Sequence, residues 1–254
     1  MADQPRSDGG VRSVLRAIDV LALFDAAHPT RHLREIVAST GLPKTTTVRL
    51  LATLESRALV VRRGEATYAP GAAVLQWVRL AASVWEVSTE ARAVMRQLVD
   101  ECGETVNIYV RQGLSRSSIA QEEGTATVRS VVEVGATMPL SRGATAKVLL
   151  GGAPDSVVDE LAALDETVDL EGLRRQVAAT RETGYGVTHG ERELGASAVA
   201  APIRHPDGRL IAALSVSGPT SRFTADRIPR YVDAVTAAAR SISERGLGPV
   251  DAFL

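Results

Sequence analysis

The sequence predicts an α+β protein with two parts, a small helical N-terminal segment and a larger segment that mixes strands with helices. Over residues 12–100 apolar residues recur at helical spacing, whereas short alternating runs dominate afterwards. Charge divides the chain in the same way. Residues 1–80 carry eleven Lys/Arg and seven Asp/Glu, and the remaining residues carry 18 and 23. The length of 254 residues is sufficient for two modest domains.

Three short helices are predicted first. The helix in "SVLRAIDVLALFDAA", capped by Ser13, has an apolar face made of Val14, Ile18, Leu21 and Ala22. The second helix, "LREIVAST", ends at Gly41, since glycine readily adopts the left-handed conformation of a helix C-terminus. Pro43 opens the third helix, "KTTTVRLLATLESRA", because its missing N–H costs nothing at a helix start.

The next segment, "LVVRRGEATYAP", predicts a hairpin of two short strands. Helix, helix, turn, helix and hairpin is the order of a winged helix-turn-helix domain, which places a recognition helix in the DNA major groove. Residues 28–63 hold seven basic and two acidic residues, as a polyanion-binding surface requires. We therefore expect residues 11–72 to bind double-stranded DNA and residues 1–10 to form a disordered arm. A solvated basic face on a helical hairpin is the alternative.

The candidate DNA contacts lie mainly in the third helix and the hairpin. The first turn of that helix has a lysine and two threonines, where helix N–H groups also favour phosphate. Arg49 follows on the face opposite the leucines and can contact guanine in a bidentate manner. The two hairpin arginines can reach phosphate or the minor groove. The full set is Arg34, Lys44, Thr45, Thr46, Val48, Arg49, Arg62 and Arg63.

A long helical stretch over residues 73–100 is predicted to link the two parts, with Trp77 and Trp85 as core or dimer contacts. From Glu104 onwards the pattern predicts strands in "ETVNIYVRQG", "SRSSIAQEE", "TVRSVVEV", "ASAVAAPIRH" and "RLIAALSVSG". Helices are predicted in "GATAKVLLGG", "DSVVDELAAL", "LEGLRRQVAATRETG" and the final "TADRIPRYVDAVTAAARSISERG", which Pro229 kinks or delays. Hairpin-linked strands predict a mostly antiparallel sheet in residues 101–248.

These segments together resemble the IclR family of bacterial transcriptional regulators. The N-terminal match is "SVLRAIDVLALF" followed by "LREIVASTGLPKTTTVRLLATLESRALV". The C-terminal match is "MPLSRGATAKVLL", "GYGVTHGERELGASAVAAPI" and "ALSVSGP", whose order and spacing are specific. The resemblance implies a winged helix-turn-helix domain, a linker helix and a GAF-like effector-binding domain. It also implies homodimers, or dimers of dimers, on palindromic operators, and a small organic or aromatic acid as effector.

In that family the effector contacts come from the loop here written "SRGAT", from the stretch over residues 184–203, and from a late strand. The positions so implied are Arg142, Ala144, Thr145, Thr188, Glu191, Ala196, Ala198, Ser215 and Ser217. Thr188 replaces a usual Asp or Ser, and Ala198 a common Cys or Ser. We therefore expect a less polar ligand than a small keto acid. In the recognition helix Thr47 takes a usually apolar place and Val48 a usually polar one, where it can touch a thymine methyl group.

The residues themselves also indicate a pocket. Alternation along "ALSVSG" places Ser215 and Ser217 on one face of a strand, where they either fix a ligand or bond locally. Arg142 is either the counter-ion of an acidic ligand or a surface arginine. Glu191 either contacts the ligand or caps backbone N–H groups and holds its loop closed. Lys147 is expected to be solvated or structural.

The sequence gives little evidence of catalytic or cofactor-binding motifs. The glycines of "GYGVTHG" are one residue too widely spaced for a dinucleotide fingerprint, and a helix rather than a strand precedes them. His189, Glu191 and Glu193 lack firm metal-ligand spacing, and Cys102 has no cysteine or histidine neighbours. We expect no cofactor and no metal.

The sequence therefore predicts a ligand-responsive transcriptional regulator of a catabolic operon, either a repressor or an activator. The alternative is an enzyme or small-molecule-binding protein that uses the GAF-like pocket. A single cysteine suits a reducing cytoplasm, and no apolar run approaches the ~18 residues of a membrane span. A cytoplasmic protein without a membrane partner is thus expected.

Overall fold

A computed structural model of the protein describes residues 11–25 and 27–254, and the arm predicted at residues 1–10 lies outside the described residues. The chain divides into two compact units, Met1–Ser83 and Val84–Leu254. The helices and strands that begin in the first unit are α1 (Arg12–Leu21), β1 (Arg31–His32), α2 (Leu33–Thr40), α3 (Lys44–Ser56), β2 (Val60–Arg63), β3 (Thr67–Pro70) and α4 (Ala73–Val84).

The first unit has the predicted order of helix, helix, turn, helix and hairpin. Its wing has a third strand that the sequence did not indicate, because β1 pairs with β3 in a sheet of order β1-β3-β2. The helices and the wing enclose a small core that consists of Val20, Ile36, Leu51, Leu54, Val60 and Tyr68. The winged helix-turn-helix prediction is therefore confirmed.

Helix α1 buries a different face from the predicted one. Val20 is fully buried, whereas Val14 and Ile18 are 53% and 55% exposed. Ser13 lies inside the helix, whose cap position is occupied by Val11 without a side-chain hydrogen bond. The helix carries apolar residues on two faces, and helical periodicity alone does not indicate which of them faces the core.

The stretch predicted as one linker helix over residues 73–100 forms two helices, α4 and α5 (Thr89–Cys102). Ser88 has an extended ψ of 154° and begins α5, since its Oγ accepts a hydrogen bond from the Ala91 N–H at 3.2 Å. The Ser88 N–H donates in turn to the carbonyl of Leu247 at 2.7 Å. The C-terminal segment therefore fixes the point at which α5 begins.

The second unit is built on a six-stranded antiparallel sheet of order β6-β5-β4-β9-β8-β7. Its strands are β4 (Thr105–Gln112), β5 (Ser115–Glu122), β6 (Thr137–Pro139), β7 (Gly186–His189), β8 (Ala196–Arg204) and β9 (Leu210–Pro219). The remaining helices are α6 (Ala144–Gly151), α7 (Ser156–Leu164), α8 (Leu170–Thr183) and α9 (Ile228–Arg245). The predicted fold class, α+β with a mostly antiparallel C-terminal sheet, is confirmed.

Alternation along the strands separates two apolar cores. Residues such as Ile108 and Leu214 pack with α5 and α9 on one face of the sheet. Tyr109 and Ala213, one position away on the same strands, pack with α6, α7 and α8 on the other face. Pro229 lies in the first turn of α9, which begins only at Ile228, so the proline delays the predicted helix and does not kink it.

The segment "TVRSVVEV", residues 127–134, is not the predicted strand. The Val132 N–H donates to the side chain of Gln121 at 2.8 Å, and its carbonyl accepts from Asn107 Nδ2 at 3.1 Å. Side chains of β4 and β5 therefore satisfy the backbone groups that a strand partner would otherwise satisfy. The segment crosses the sheet as an irregular strap, and we call residues 127–134 the strap below.

An ion pair buried at the start of β4 joins distant parts of the second unit. Glu104 is 1% exposed, and both of its carboxylate oxygens accept hydrogen bonds from the guanidinium of Arg222. Arg222 Nη2 also donates to the Val128 carbonyl at 2.9 Å. The pair thus ties the end of β9 to β4 and to the strap.

Glu104→Ala is expected to lower the free energy of unfolding by about 3–5 kcal/mol, because Arg222 then keeps a half-buried charge without its partner. Asp159→Ala is the matched control, since it removes the acidic partner of Arg174 in a pair whose side chains are 51% and 50% exposed. That loss should be about 0–1 kcal/mol. Urea unfolding measures both, and equal losses would contradict the structural role of Glu104.

Candidate nucleic-acid interface and ligand cavity

The outer side of α3 carries the predicted DNA contacts. Lys44, Thr45 and Arg49 are exposed, and Val48 is 41% exposed. Thr47 is fully buried and donates from its Oγ1 to the Pro43 carbonyl at 3.3 Å. The Thr47 hydroxyl is thus satisfied inside the core, and Val48 faces outward. This placement fits the expectation that Thr47 takes a usually apolar position and Val48 a usually polar one.

The first turn of α3 is open to an anion. Among the described residues no side chain caps it, and the turn contains no acidic residue. Helices α2, α5 and α8 differ, since each begins with a side chain that accepts a hydrogen bond from the first turn. The uncapped N–H groups of α3 and the positive end of its dipole suit a DNA phosphate.

The remaining basic candidates lie on neighbouring elements. Arg34 is exposed on α2, and Arg62 and Arg63 are exposed at the end of β2, just before the wing turn. Ala66 in that turn has a φ of 55°, a left-handed conformation that closes the hairpin. The first unit therefore displays each predicted DNA-contacting side chain at its surface except Thr46, which is half-buried.

The first unit also exposes two apolar surfaces. On α1 and at its cap position, four apolar residues follow helical spacing and are between 43% and 66% exposed, namely Val11, Val14, Leu15 and Ile18. On α4, Leu75, Trp77, Val78 and Leu80 are between 53% and 70% exposed. We call the first set the α1 outer face. Exposed apolar surfaces of this kind are typical of protein–protein contacts.

A small cavity of about 40 Å³ lies in the second unit between the first turn of α6 and the sheet. Because one water molecule needs about 10–15 Å³ of such space, the cavity has room for a few waters. The lining residues come from α6, the strap and strands β4, β5, β7, β8 and β9, with the loop between β7 and β8. They are Tyr109, Arg116, Ser130, Gly143, Ala144, Thr145, Thr188, Arg192, Ala196, Ser197, Ala198, Ser215 and Ser217.

The first turn of α6 is held in place by side chains of β7 and the following loop. The Ala144 N–H donates to Thr188 Oγ1 at 3.1 Å, and the Gly143 N–H donates to Glu191 Oε2 at 3.0 Å. The other oxygen of Glu191 pairs with Lys147, which is 4% exposed. Glu191 therefore caps this helix and neutralises a buried lysine, and it does not line the cavity.

The two serines of β9 face the cavity together. Ser215 lies opposite Ala200 of β8, and Ser217 lies opposite Ala198. Ser217 is 8% exposed, and its Oγ has no hydrogen-bond partner among the described residues. An unpaired hydroxyl next to the small side chain of Ala198 leaves both space and an unused hydrogen-bonding group for a ligand.

Sequence reasoning missed several cavity residues, namely Tyr109, Ser130, Arg192, Ser197 and, most consequentially, Arg116. Arg116 is 2% exposed on β5, and burial lowers its pKa to about 10, so the guanidinium stays protonated at neutral pH. Its Nη1 donates to the Pro139 carbonyl, while its Nε has no partner among the described residues. In the sequence this arginine sits in a polar strand, which is also typical of an exposed edge.

The predicted counter-ion, Arg142, lies elsewhere. Its guanidinium is exposed beside Thr167 Oγ1 at 3.4 Å, outside the set of residues that line the cavity. Arg142 and Gly143 are adjacent in the loop, but the chain turns at Gly143, whose φ is 97°. Seven of the nine predicted effector positions line the cavity, and Arg142 and Glu191 do not.

The described residues form neither a metal-binding cluster nor a helix that could span a membrane. His189 Nδ1 lies 2.9 Å from Ser197 Oγ, so its ring is engaged in a local hydrogen bond. Within the described ranges, histidine, cysteine and acidic side chains form no cluster that could hold a metal ion. In the same ranges, every helix is too short or too polar to cross a lipid bilayer.

Comparison with known proteins agrees with both units. Residues 13–64 match the family model described as "IclR helix-turn-helix domain", and residues 80–244 match "Bacterial transcriptional regulator IclR C-terminal". The HTH-type transcriptional regulator KipR of Bacillus subtilis is 30% identical over 242 residues, which cover 92% of this chain and 96% of that protein.

Solved structures give the same picture. An IclR-family transcriptional regulator from Rhodococcus sp. is 49% identical, covers 99% of this chain and 100% of its own, and superposes with a TM-score of 0.65. An IclR homologue from Microbacterium hydrocarbonoxydans, solved in complex with 4-hydroxybenzoate, is 21% identical with a TM-score of 0.70. It covers 94% of this chain and 99% of its own, and at this identity the likeness concerns the fold.

Glu191→Ala is expected to lower the free energy of unfolding by about 2–3 kcal/mol, because Lys147 would keep a buried charge without a carboxylate. The double variant Glu191→Ala/Lys147→Met should recover part of this loss, since it removes the buried charge as well. Glu171→Ala, at an 86% exposed side chain, is the control and should cost at most about 0.5 kcal/mol. A loss of stability in the double variant that is larger than the sum of the losses in Glu191→Ala alone and Lys147→Met alone would contradict the pairing.

Proposed function

This chain belongs to the IclR family of bacterial transcriptional regulators, and we propose that a small organic or aromatic acid bound in the α6 cavity controls its binding to an operator. The family matches cover both units, and the named relatives are transcriptional regulators rather than enzymes. The alternative of an enzyme that uses the cavity is therefore set aside. Control of a catabolic operon is part of the proposal.

One observation carries the effector proposal. The cavity combines small apolar walls, such as Ala144 and Ala198, with polar groups that lack partners, namely Ser217 Oγ and Arg116 Nε. Small-molecule sites are recognised by this combination of a mostly apolar surface and a few converging polar groups. The related structure with bound 4-hydroxybenzoate makes a single-ring acid a reasonable first ligand to test.

Effector and operator affinities are coupled in this proposal. A ligand in the cavity would change the population of the conformation that binds DNA, with the helices over residues 73–102 as the route between the units. Thermodynamic linkage then requires the operator to change the affinity for the ligand by the same factor. The direction of the change decides between a repressor and an activator.

A homodimer, or a dimer of dimers, is the proposed form on DNA. The α1 outer face and the exposed apolar side of α4 lie in the same unit as the recognition helix. A two-fold pair of such units would bury these surfaces and present two α3 helices to the half-sites of a palindrome. The proposed partners are therefore a second copy of this chain and double-stranded DNA.

Arg49→Ala is expected to weaken operator binding by about tenfold or more, since a bidentate contact with guanine contributes about 1–3 kcal/mol. The operator can be recovered from sheared genomic DNA on the immobilised protein and then titrated in gel shifts. Arg175→Ala, at a 71% exposed arginine on α8, is the control and should bind like the wild type. Unchanged binding by the Arg49 variant would reject α3 as the recognition helix.

Ile18→Glu is expected to dissociate the proposed dimer, because it places a charge in the centre of the α1 outer face. Sedimentation velocity should show a smaller species and weaker operator binding, with the thermal stability of the monomer retained. Leu164→Glu, at a 65% exposed leucine on α7, is the matched control and should leave the association state unchanged. A dimer that survives the Ile18 change would locate the interface elsewhere.

A further inference from the structure

We propose that Arg116 is the counter-ion for the carboxylate of the effector and that the cavity selects acids with a single negative charge. This inference rests on the proposed function, because it names the ligand class and the binding residue of the same site. It concerns a residue on β5, outside the C-terminal segments that carry the family resemblance.

The first argument is the burial of a charge without a charged partner. Arg116 is 2% exposed, and no carboxylate of the described residues lies within ion-pair distance of it. Its Nη1 donates to the Pro139 carbonyl, its Nη2 lies 3.9 Å from the sulfur of Met138, and its Nε lacks a partner. Burying an unpaired cation is unfavourable, and an anion that enters the cavity would remove this cost.

The second argument is access to the guanidinium. Its Nη2 lies 3.1 Å from the position that a Cβ on Gly143 would occupy, so the glycine lets the guanidinium pack against the first turn of α6. The guanidinium carbon lies 5.9 Å from the centre of the Tyr109 ring, and both residues line the cavity. Ser217 supplies a second unpaired group on the cavity wall. A carboxylate could therefore accept from the arginine and from a serine hydroxyl.

The third argument is the charge balance around the cavity. Lys147 is neutralised by Glu191, and Arg192 lies 3.5 Å from the carboxylate of Glu193 and bonds to Ser130 Oγ. Arg142 lies outside the lining. Among the described residues, Arg116 is thus the lining cation without an acidic partner. One uncompensated charge matches one carboxylate, whereas a second carboxylate would be buried without a counter-ion.

The first test compares ligands on the wild-type protein by isothermal titration calorimetry. Benzoate and 4-hydroxybenzoate are the monoanions, benzamide and 4-hydroxybenzamide are their neutral isosteres, and phthalate is the dianion. At least one monoanion is expected to bind about 100-fold more tightly than its amide, and phthalate more weakly than benzoate. Equal binding of acid and amide, tighter binding of phthalate, or no binding of either monoanion at millimolar concentration would overturn the proposal.

The second test changes the arginine. Arg116→Met keeps the length and apolar bulk of the side chain, and it should abolish acid binding while the melting temperature stays unchanged or rises. An arginine with a purely structural role would instead lower the melting temperature and leave the preference for acid over amide intact. Arg142→Met is the matched control and should bind the acid like the wild type. If Arg116→Met does not fold, Arg116→Lys is titrated with the same acid and amide as the wild-type protein. The charge alone should preserve a weakened preference for the acid.

Operator binding separates this inference from the proposed function. If a monoanion binds through Arg116 and leaves operator affinity unchanged, the site assignment stands and the regulatory function fails. If operator affinity instead responds to a neutral compound or a dianion, and does so equally in the Arg116→Met variant, the regulatory function stands and the assignment of Arg116 fails.

Discussion

The cavity depends on how the first turn of α6 is held against β7. Gly186 permits the close approach, since a Cβ there would lie 3.1 Å from the Ala144 carbonyl oxygen. Thr188 and Glu191 then accept hydrogen bonds from the first N–H groups of the helix, and Glu191 neutralises Lys147. These contacts satisfy the charge and backbone groups of α6 locally. The unpaired groups of Arg116 and Ser217 remain, and both residues line the cavity.

The first unit likewise combines apolar and backbone groups that have partners with others that lack them. Its core uses one face of α1, while the α1 outer face stays exposed. Helix α2 begins with a capping box, whereas α3 begins at Pro43 without a side-chain cap. A helix whose first N–H groups are open and whose outer side bears Lys44 and Arg49 suits a polyanion. These surfaces without partners are the ones that the proposed contacts with DNA and with a second copy of the chain would use.

The sequence predicted the elements better than the contacts between them. Glycine and proline positions such as Gly41 and Pro43 act locally, so the helices of the first unit were predictable. The strap was predicted as a strand because its valines favour strands, but side chains distant in sequence satisfy its backbone. Arg116 gave no local signal, because its burial depends on a loop 27 positions later that ends at Gly143. Arg142 was favoured by the family pattern, yet a positive φ at Gly143 separates it from the cavity.

The reciprocity of ligand and operator binding tests regulation by the α6 cavity most directly. The affinity for a recovered operator would be measured with and without a saturating acid, and the affinity for that acid with and without the operator. Coupling through the protein predicts the same factor in both directions, typically about 5–150-fold. An acid that fills the cavity while both affinities stay unchanged would contradict control of DNA binding from this site.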